Sequence, residues 1–314
     1  MAAAIFLLPA AEAFGAQRLD PDSARLLGRA DRLPLADAGR EAQLLRYFDL
    51  LPRGWPIAAL TRQADAGDAA GSAWLRADPA WVRPDINGAR LLACGADLQL
   101  TAADRDALLP ALRPLFGDAG FPIDAPDPSR WYLRLPAGAK LPAFAPPSEA
   151  LGTDLSDQLD DDGPGARRWR ALLNEAQIVL HNHPWNQARV ERGITPVNSL
   201  WFWGAGVLPD HVRSGHAAVC TGEEELRALA IAAGAQSAAP PAAFDPASAA
   251  TLVDLRALRD LRLFADAWLR PALAAVADGT LESLALDLED GAGYRFARGQ
   301  RWRFWRRPRD TLAQ

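Results

Sequence analysis

The stretch from Ala166 to Gly206 constrains the fold more than any other part of the sequence. Apolar side chains recur at helical spacing from Trp169 to Leu180, which predicts a helix with one face against a core. The opposite face carries hydrogen-bonding groups where a solvated helix usually carries Glu and Lys: Arg170, Asn174, Gln177 and His181. The pattern predicts an amphipathic helix whose polar face is rich in hydrogen-bonding side chains other than Glu and Lys.

The same stretch continues into a second helix and a strand. Pro184 ends the first helix, and a short helix is predicted from residue 185 to 192. Residues 197–203 are rich in aromatic side chains and predict a strand that runs into a turn at Gly204-Ala205-Gly206. Glycines at a turn let backbone N–H groups approach a ligand closely.

A strand followed by a capped helix gives the clearest sign of fold class. Residues 217–220 predict a buried strand, and Thr221-Gly222-Glu223-Glu224 resembles a capping box that opens a helix to Ala233. Such a unit is typical of a parallel sheet. We predict an α/β protein with a mixed, largely parallel sheet flanked by helices. The predicted division is a domain at 1–235, an Ala/Pro linker at 236–250, and a helix and hairpin at 251–314 that pack on the same core.

Other segments predict further elements by their periodicity and turn residues. We expect a first buried strand at Ala4–Leu8, although the N-terminal residues also resemble the apolar part of a secretory leader. The remaining expected elements are loose helices in 17–50, a strand at 56–60, a hairpin at 81–95, a helix at 101–115, a strand at 130–135, a helix at 252–277 broken near Pro271, and a hairpin at 281–297.

Composition limits the classes of partner. The 314 residues include 34 basic and 39 acidic side chains, a net charge of −5, so overall electrostatics predict no nucleic-acid partner. No run of about eighteen apolar residues is present, which predicts no membrane span. Cys94 and Cys220 are the only cysteines and lie in apolar stretches, which favours a reducing, cytoplasmic location.

The one strong charge asymmetry lies between Arg295 and Arg309. This segment holds seven arginines interleaved with Trp302, Phe304 and Trp305. Alternation predicts a solvated edge strand whose charge prevents pairing with another chain. The alternative is a surface for a protein partner, a phosphate or an anionic lipid.

Candidate metal and cofactor patterns are weak. His181-x-His183 and Asp210-His211 with His216 offer ligands for Zn or Mn, but nothing fixes the spacing between the two groups. The acidic residues from Asp154 to Asp162 lack the ligand pattern of an EF-hand and predict a solvated loop. No GxSxG motif occurs, and the glycine turn lacks the third glycine of a dinucleotide fingerprint. We predict no cofactor and no metal.

The central stretch resembles a segment of the archaeal-type cofactor-independent phosphoglycerate mutases of the alkaline-phosphatase-like superfamily. The matching pattern is HPxNxxRxxxGxxxxNxxWxWGxG, with a preceding Asn174-Glu175 and a following βα unit. Over nearly its whole length the chain is similar to a bacterial family labelled RpfE-type regulatory proteins, through WLRADP, DPSRWYLRL and WRFWRR. The first resemblance implies a phosphoglycerate-mutase-like fold, and the second implies no established activity.

The chain departs from the mutase pattern at the catalytic centre. The resemblance implies a Ser or Thr nucleophile and two metals held by Asp and His at several strand ends. Those enzymes open with a DGxxD strand, whereas this chain has Ile5-Phe6-Leu7-Leu8-Pro9-Ala10 there and no histidine after His216. We predict a non-catalytic binding or regulatory protein. The alternatives are an active phosphomutase or phosphatase using Asp78, Asp154, His183 and His211, or an adaptor using the Arg/Trp-rich strand.

The predicted binding site for a small phosphorylated or carboxylated metabolite lies in the central stretch. Arginine, amide groups and exposed backbone N–H groups suit phosphate or carboxylate oxygens. The structural alternative is that Asn186 and Asn198 cap turns, Trp201 and Trp203 fill a core, and Arg189 pairs with an acid such as Glu175. The candidate ligand-binding residues are Asn174, Gln177, His183, Asn186, Arg189, Asn198, Trp203, Gly204 and Gly206.

Overall fold

The computed structural model describes residues 2–85, 88–152, 164–246 and 251–313. The chain forms two compact units, the first from Met1–Arg53 with Asp210–Gln314 and the second from Gly54–Pro209. This division differs from the predicted boundary at residue 235, because the chain leaves the first unit at residue 53 and returns at residue 210. The acidic segment 154–162 lies outside the described residues, in the gap at 153–163.

The first unit contains a seven-stranded sheet whose order is β11-β10-β12-β1-β13-β14-β2. Strands β11, β10, β12, β1 and β13 run parallel, and β14 and β2 pair antiparallel at one edge. This mixed, largely parallel arrangement confirms the predicted α/β class. The strands of the unit are β1 (Ala2–Leu8), β2 (Asp31–Arg32), β3 (Phe48–Leu51), β9 (His211–Ser214), β10 (Ala218–Cys220), β11 (Gln236–Ala238), β12 (Thr251–Asp254), β13 (Leu281–Leu288) and β14 (Gly293–Ala297).

Helices pack on this sheet, and a small second ladder joins β3 to β9. Side chains alternate between the two faces along β1. Phe6 and Leu8 therefore face the same way, and they pack in one core with Trp268 and Leu284. The helices are α1 (Pro21–Gly28), α2 (Arg40–Leu45), α8 (Glu224–Ala232), α9 (Leu261–Phe264) and α10 (Arg270–Asp278), with a π-helical segment at Ala265–Leu269 between the last two.

The second unit is built on an antiparallel sheet around one long strand. Strand β4 pairs with β8 on one side and with β5 and β7 on the other, and β6 pairs with β7. The strands are β4 (Ala73–Asp85), β5 (Gly88–Cys94), β6 (Ile123–Asp127), β7 (Arg130–Leu135) and β8 (Ser199–Val207). The predicted strands at 81–84, 89–95 and 130–135 are therefore confirmed.

Helices α4 and α6 pack their apolar side chains against this sheet. The core that they form with it includes Leu112, Trp169 and Phe202. Helix α4 begins with a complete capping box between Thr101 and Asp104, which confirms the predicted start of this helix. The helices are α3 (Ile57–Ala66), α4 (Ala102–Asp118), α5 (Pro147–Ala150), α6 (Pro164–His181) and α7 (Pro184–Glu191). The break at Pro184 is confirmed as well.

Three predicted elements are wrong. Residues 56–60 belong to helix α3, which is alanine-rich and ends at a left-handed Gly67. Residues 251–254 form the buried strand β12 and not the start of a helix, because a short apolar run does not distinguish the two. Residues 301–306 form no strand: the segment opens with a 3₁₀ helix at Arg298–Trp302 and continues without regular pairing.

The Gly204-Ala205-Gly206 segment lies inside β8 and is not a turn after it. The register between β4 and β8 shifts between Trp74 and Arg76, so β8 contains a bulge there. Gly204 has a φ of 67°, the left-handed conformation that a bulge of this kind requires. None of the described helices is both long enough and apolar enough to cross a lipid bilayer.

Candidate functional site

A row of polar side chains crosses the carboxyl edge of the parallel sheet in the first unit. Leu7 of β1 pairs in register with Asp254 on one side and with Asp287 on the other. Partners in a parallel register point to the same face, so the two carboxylates flank Leu7 on the face opposite Phe6. Thr221, directly after β10, extends the row because its hydroxyl donates to Asp254 Oδ2 at 2.8 Å. Ligands of open α/β sheets bind at this edge.

Arg256 saturates the carboxylate of Asp254. Its Nε and Nη2 donate to the two carboxylate oxygens at 2.8 Å each, and its backbone N–H donates to Oδ1 at 3.1 Å. With Thr221, these bonds occupy about four acceptor positions, which is the capacity of a carboxylate. Burial disfavours the charged form of Asp254, but the hydrogen bonds and charge of Arg256 outweigh it and hold the pKa below its usual value.

One of the three guanidinium nitrogens of Arg256 takes no part in the contact with Asp254. Its Nη1 is buried and has no hydrogen-bond partner among the described residues. A buried guanidinium nitrogen without a partner is costly, and an anion is the natural acceptor for it. The edge therefore presents a positively charged donor on a guanidinium that shares the carboxylate of Asp254 with the Thr221 hydroxyl.

Asp287 has a corresponding set of donors. Arg46 Nε and Nη2 donate to its two oxygens at 2.9 and 2.6 Å, and the Tyr47 hydroxyl donates to Oδ2. Burial, followed by the charge of Asp287, raises the pKa of Tyr47. Gln43 Nε2 bonds the carbonyls of Leu8 and Asp287, while its buried Oε1 has no partner among the described residues. Both carboxylates of the row are thus compensated by arginine.

One imidazole lies next to this group. The rings of His216 and Tyr47 meet edge to face, with centroids 5.7 Å apart. Burial lowers the pKa of His216, so the neutral imidazole is favoured.

Arg40, at the start of α2, bonds Glu223 at 2.6 Å and Glu225 at 3.1 Å. The predicted capping box at Thr221 is wrong, because its hydroxyl accepts from Glu223 N and the helix begins one residue later.

Two of the residues predicted to bind a ligand are buried in contacts within the second unit. Asn186 Nδ2 donates to the carbonyls of Leu180 and Val197 at 2.7 Å, and its Oδ1 accepts from Val197 N at 3.0 Å. Arg189 Nη1 donates to Asp104 at 2.6 Å, and its Nε and Nη2 donate to Thr195 O. These contacts join α7 to the loop before β8 and to α4, which is a structural role.

Asn198, Trp203 and the glycine Gly206 also make contacts within the second unit. Asn198 makes two 2.8 Å bonds with the backbone of Val82. Trp203 Nε1 donates to Asp78 at 2.7 Å. A Cβ on Gly206 would lie 2.5 Å from Pro56 Cβ, so this glycine permits close packing of the chain before α3. These contacts match the structural alternative, with Asp104 and not Glu175 as the acid that binds Arg189.

The three remaining predicted residues lie along α6 and at its end. Asn174 is exposed, and Gln177 Nε2 donates to Ser199 Oγ at 3.0 Å. His183 caps α7, since its Nδ1 accepts from Trp185 N at 3.2 Å. Most of the polar residues predicted in the central stretch therefore make their hydrogen bonds with the protein.

Within the described residues, no three His, Cys, Asp or Glu side chains form a group that could hold a metal ion. Of the ligand set proposed for an active enzyme, Asp78 is buried against Arg76, His183 caps a helix, and His211 is exposed on β9. Asp154 lies outside the described residues.

The polar row was not among the predicted site residues. One local signal was available: Asp254-x-Arg256 places an acid and an arginine two residues apart after an apolar strand, where they share a face. The same spacing occurs in Arg76-x-Asp78, where Nε and Nη2 also bond the two carboxylate oxygens at 2.8 Å. Asp287 has no such signal, because its partner Arg46 is distant in sequence.

The fold and this edge define the class: an α/β protein with a largely parallel sheet and an arginine-compensated pair of carboxylates at its carboxyl ends. No protein-family model matches the chain. The chain is similar over part of its length to cofactor-independent phosphoglycerate mutases, and it spans about a quarter of the length of the curated relatives it matches.

Two relatives illustrate this similarity. A probable 2,3-bisphosphoglycerate-independent phosphoglycerate mutase of Geobacter sulfurreducens is 36% identical over 94 residues, 28% of this chain and 23% of the relative. The mutase of Methanothrix thermoacetophila is 32% identical over 94 residues, 28% of this chain and 24% of the relative. The structure of the cofactor-independent mutase from Thermoplasma acidophilum aligns over 95% of this chain and 90% of that chain, with 16% identity and a TM-score of 0.43.

Proposed function

We propose that the protein is a non-catalytic binding or regulatory protein with a phosphoglycerate-mutase-like fold, and that it recognises a small phosphorylated or carboxylated metabolite. The observation that carries the proposal is the position of Leu7 between Asp254 and Asp287. Leu7 thus occupies the central position of the row, between the two strand-end carboxylates. The two remaining carboxylates are each bound by an arginine in the place where a cation would otherwise balance their charge.

The same edge supplies a donor for an anion. Arg256 Nη1 is buried and unpartnered within the described part of the chain. The Thr221 hydroxyl already donates its hydrogen to Asp254, so the free donor at this edge is the guanidinium nitrogen. Guanidinium groups suit phosphate and carboxylate oxygens by charge and by geometry. This proposal moves the binding site from the central stretch to the sheet edge, because Asn186, Arg189 and Asn198 already bond the protein.

The resemblance to RpfE-type regulatory proteins supports a regulatory role, and the similarity to phosphoglycerate mutases supports the choice of probes. Those relatives are named for a phosphorylated three-carbon acid that carries both a phosphate and a carboxylate. Titration calorimetry of the full chain with 3-phosphoglycerate and with inorganic phosphate tests binding. We expect a saturable 1:1 isotherm with 3-phosphoglycerate in the absence of any added metal.

The assignment to the sheet edge is tested by Arg256→Lys, which keeps the charge but loses the fork geometry. We expect affinity for 3-phosphoglycerate to fall about tenfold or more, corresponding to one lost charge-assisted hydrogen bond. Arg25→Lys, at an exposed pair with Asp22, is the matched control and keeps full affinity. Equal affinity in both variants, with both folded, contradicts the assignment.

A metal-dependent phosphatase or mutase is the second candidate, favoured by one observation. The Thr221 hydroxyl lies at the carboxyl end of the parallel sheet and bonds an aspartate, as a nucleophile beside a metal-binding acid would. Incubation with Mn²⁺ or Zn²⁺ and 3-phosphoglycerate or p-nitrophenyl phosphate separates the candidates. Turnover that is lost in Thr221→Val would establish the enzyme and refute the non-catalytic proposal.

A further inference from the structure

Three aromatic side chains are exposed together in residues 301–307 of the first unit, which we call the Trp/Arg segment. Trp302 is 64% exposed, Phe304 is 79% exposed and Trp305 is 68% exposed. Large aromatic side chains are normally the first to be buried in a core. Three such side chains within four residues form an exposed apolar patch, and the hydration of such a patch is unfavourable in free energy.

The backbone of this segment is held against the unit by specific contacts. Gln300 Nε2 and Arg303 Nη1 both donate to the carboxylate of Asp31. Gly28 leaves room for the Arg307 carbonyl, which would lie 2.3 Å from a Cβ at that position. The aromatic groups are therefore presented by an anchored backbone, and the rings of Phe304 and Trp305 meet edge to face with centroids 5.4 Å apart.

Positive charge surrounds the aromatic patch. Residues 295–309 contain seven arginines and no acidic side chain, although the whole chain has a net charge of −5. Arg301, Arg306 and Arg307 are exposed, and Arg301 also lies over the Trp302 ring at 4.9 Å from its centroid. Aromatic rings and arginines in one patch match the two layers of a lipid surface, the acyl boundary and the anionic headgroups.

Exposure distinguishes this surface from a peptide-binding groove. Side chains that are 64–79% exposed project into solvent, and a fluid bilayer buries such groups without a complementary shape. The cleft beside Arg301, lined also by Leu273 and Phe296, measures about 70 Å³, which is too small to seat several residues of a peptide. These observations favour a lipid surface over an acidic polypeptide.

We propose that the Trp/Arg segment binds the surface of an anionic lipid bilayer, with Trp302, Phe304 and Trp305 at the acyl boundary and the arginines at the headgroups. Co-sedimentation of the full chain with phosphatidylcholine vesicles that contain about 30% phosphatidylserine, an anionic lipid, tests this proposal. We expect binding to these vesicles, none to pure phosphatidylcholine, and weaker binding as salt is raised.

Variants separate the two contributions. Arg306→Ser with Arg307→Ser should weaken vesicle binding about 25-fold, since each arginine near an anionic surface contributes about fivefold. Trp302→Ser, Phe304→Ser and Trp305→Ser together should weaken it by at least about tenfold through lost apolar burial. The matched controls are Arg53→Ser with Arg227→Ser, and Leu35→Ser with Ile178→Ser, all at exposed positions.

The controls decide between a specific surface and a general effect of charge or hydrophobicity. Full vesicle binding in both control variants, with thermal unfolding unchanged in all four proteins, supports the proposal. Equal losses in the test and control arginine variants would overturn it. Absence of vesicle binding together with binding to polyglutamate would overturn it in favour of an acidic protein partner.

Discussion

Arg256 bonds both oxygens of Asp254 at 2.8 Å, and the two residues lie only two positions apart at the end of β12. Arg256 lies in the turn that follows β12 and its backbone N–H also bonds Asp254, so the pair forms locally. Arg76 and Asp78 make the same bidentate contact on β4 in the second unit. Each of the two larger sheets thus carries a buried, bidentate ion pair among its described residues.

Asp254→Asn tests the importance of the first pair. The change leaves the Arg256 charge buried without its counter-ion, so we expect the free energy of unfolding to fall by about 3–5 kcal/mol. Urea denaturation followed by circular dichroism measures the loss. Asp22→Asn, which breaks the exposed pair with Arg25, is the control and should cost less than about 1 kcal/mol. Similar losses in both variants would contradict a special role for the buried pair.

His216 should make stability depend on pH. Burial lowers its pKa below the usual value of 6.5, so the unfolded chain binds a proton more readily than the folded chain. The stabilising contribution is present above pH 6.5 and is lost as pH falls toward the folded pKa. We expect His216→Phe, which keeps a ring beside Tyr47, to flatten the stability curve between pH 7 and 5 by at most about 1.4 kcal/mol per pH unit.

Urea titrations of the wild-type chain and His216→Phe at several pH values give the two slopes. His211→Phe is a useful comparison, because His211 is exposed on β9 and lies on the same unit. Identical slopes for the wild-type chain and His216→Phe would show that the imidazole is not shielded as the structure indicates.

Arg189→Ala tests whether the central stretch binds a ligand or supports the fold. Removal of the guanidinium leaves Asp104 with fewer donors and frees the Thr195 carbonyl, so we expect a loss of about 3–5 kcal/mol in the second unit. Arg189→Lys should recover only part of it, since lysine lacks the fork. Arg192→Ala, an exposed neighbour, should change stability by less than about 0.5 kcal/mol. Unchanged stability of Arg189→Ala with lost metabolite binding would favour the ligand role.

Sequence reasoning succeeded where a signal was local and failed where it depended on distant pairing. The run RWYLRL at Arg130–Leu135 and the Thr101–Asp104 capping box predicted β7 and the start of α4. The row at the sheet edge depends on Leu7 meeting two strands that lie over 240 residues away, and no local periodicity encodes that register. Apart from the local Asp254-x-Arg256 spacing, the residues of the candidate site could therefore be grouped only once the strand order was known.

The central stretch shows a different limit. Polar residues near glycines predicted a ligand site, but the same residue types stabilise buried loops, because buried backbone groups also need partners. Asn186 and Asn198 each bond the backbone of a neighbouring segment. Sequence alone does not distinguish an amide that binds a ligand from one that binds a strand edge.

Gly206→Ala distinguishes these two roles for the glycines of β8. A Cβ at this position would lie 2.5 Å from Pro56 Cβ and 2.9 Å from Pro56 Cα, so the backbone before α3 must move. We expect a loss of about 1–3 kcal/mol in the free energy of unfolding, the usual cost of overpacking. Gly117→Ala, in α4 with no atom within 4 Å of its Cβ position, should instead stabilise the protein by about 1 kcal/mol. Thermal and urea unfolding of the two variants measure these opposite changes, and a Gly206→Ala variant as stable as the wild-type chain would show that the glycine is not required for packing.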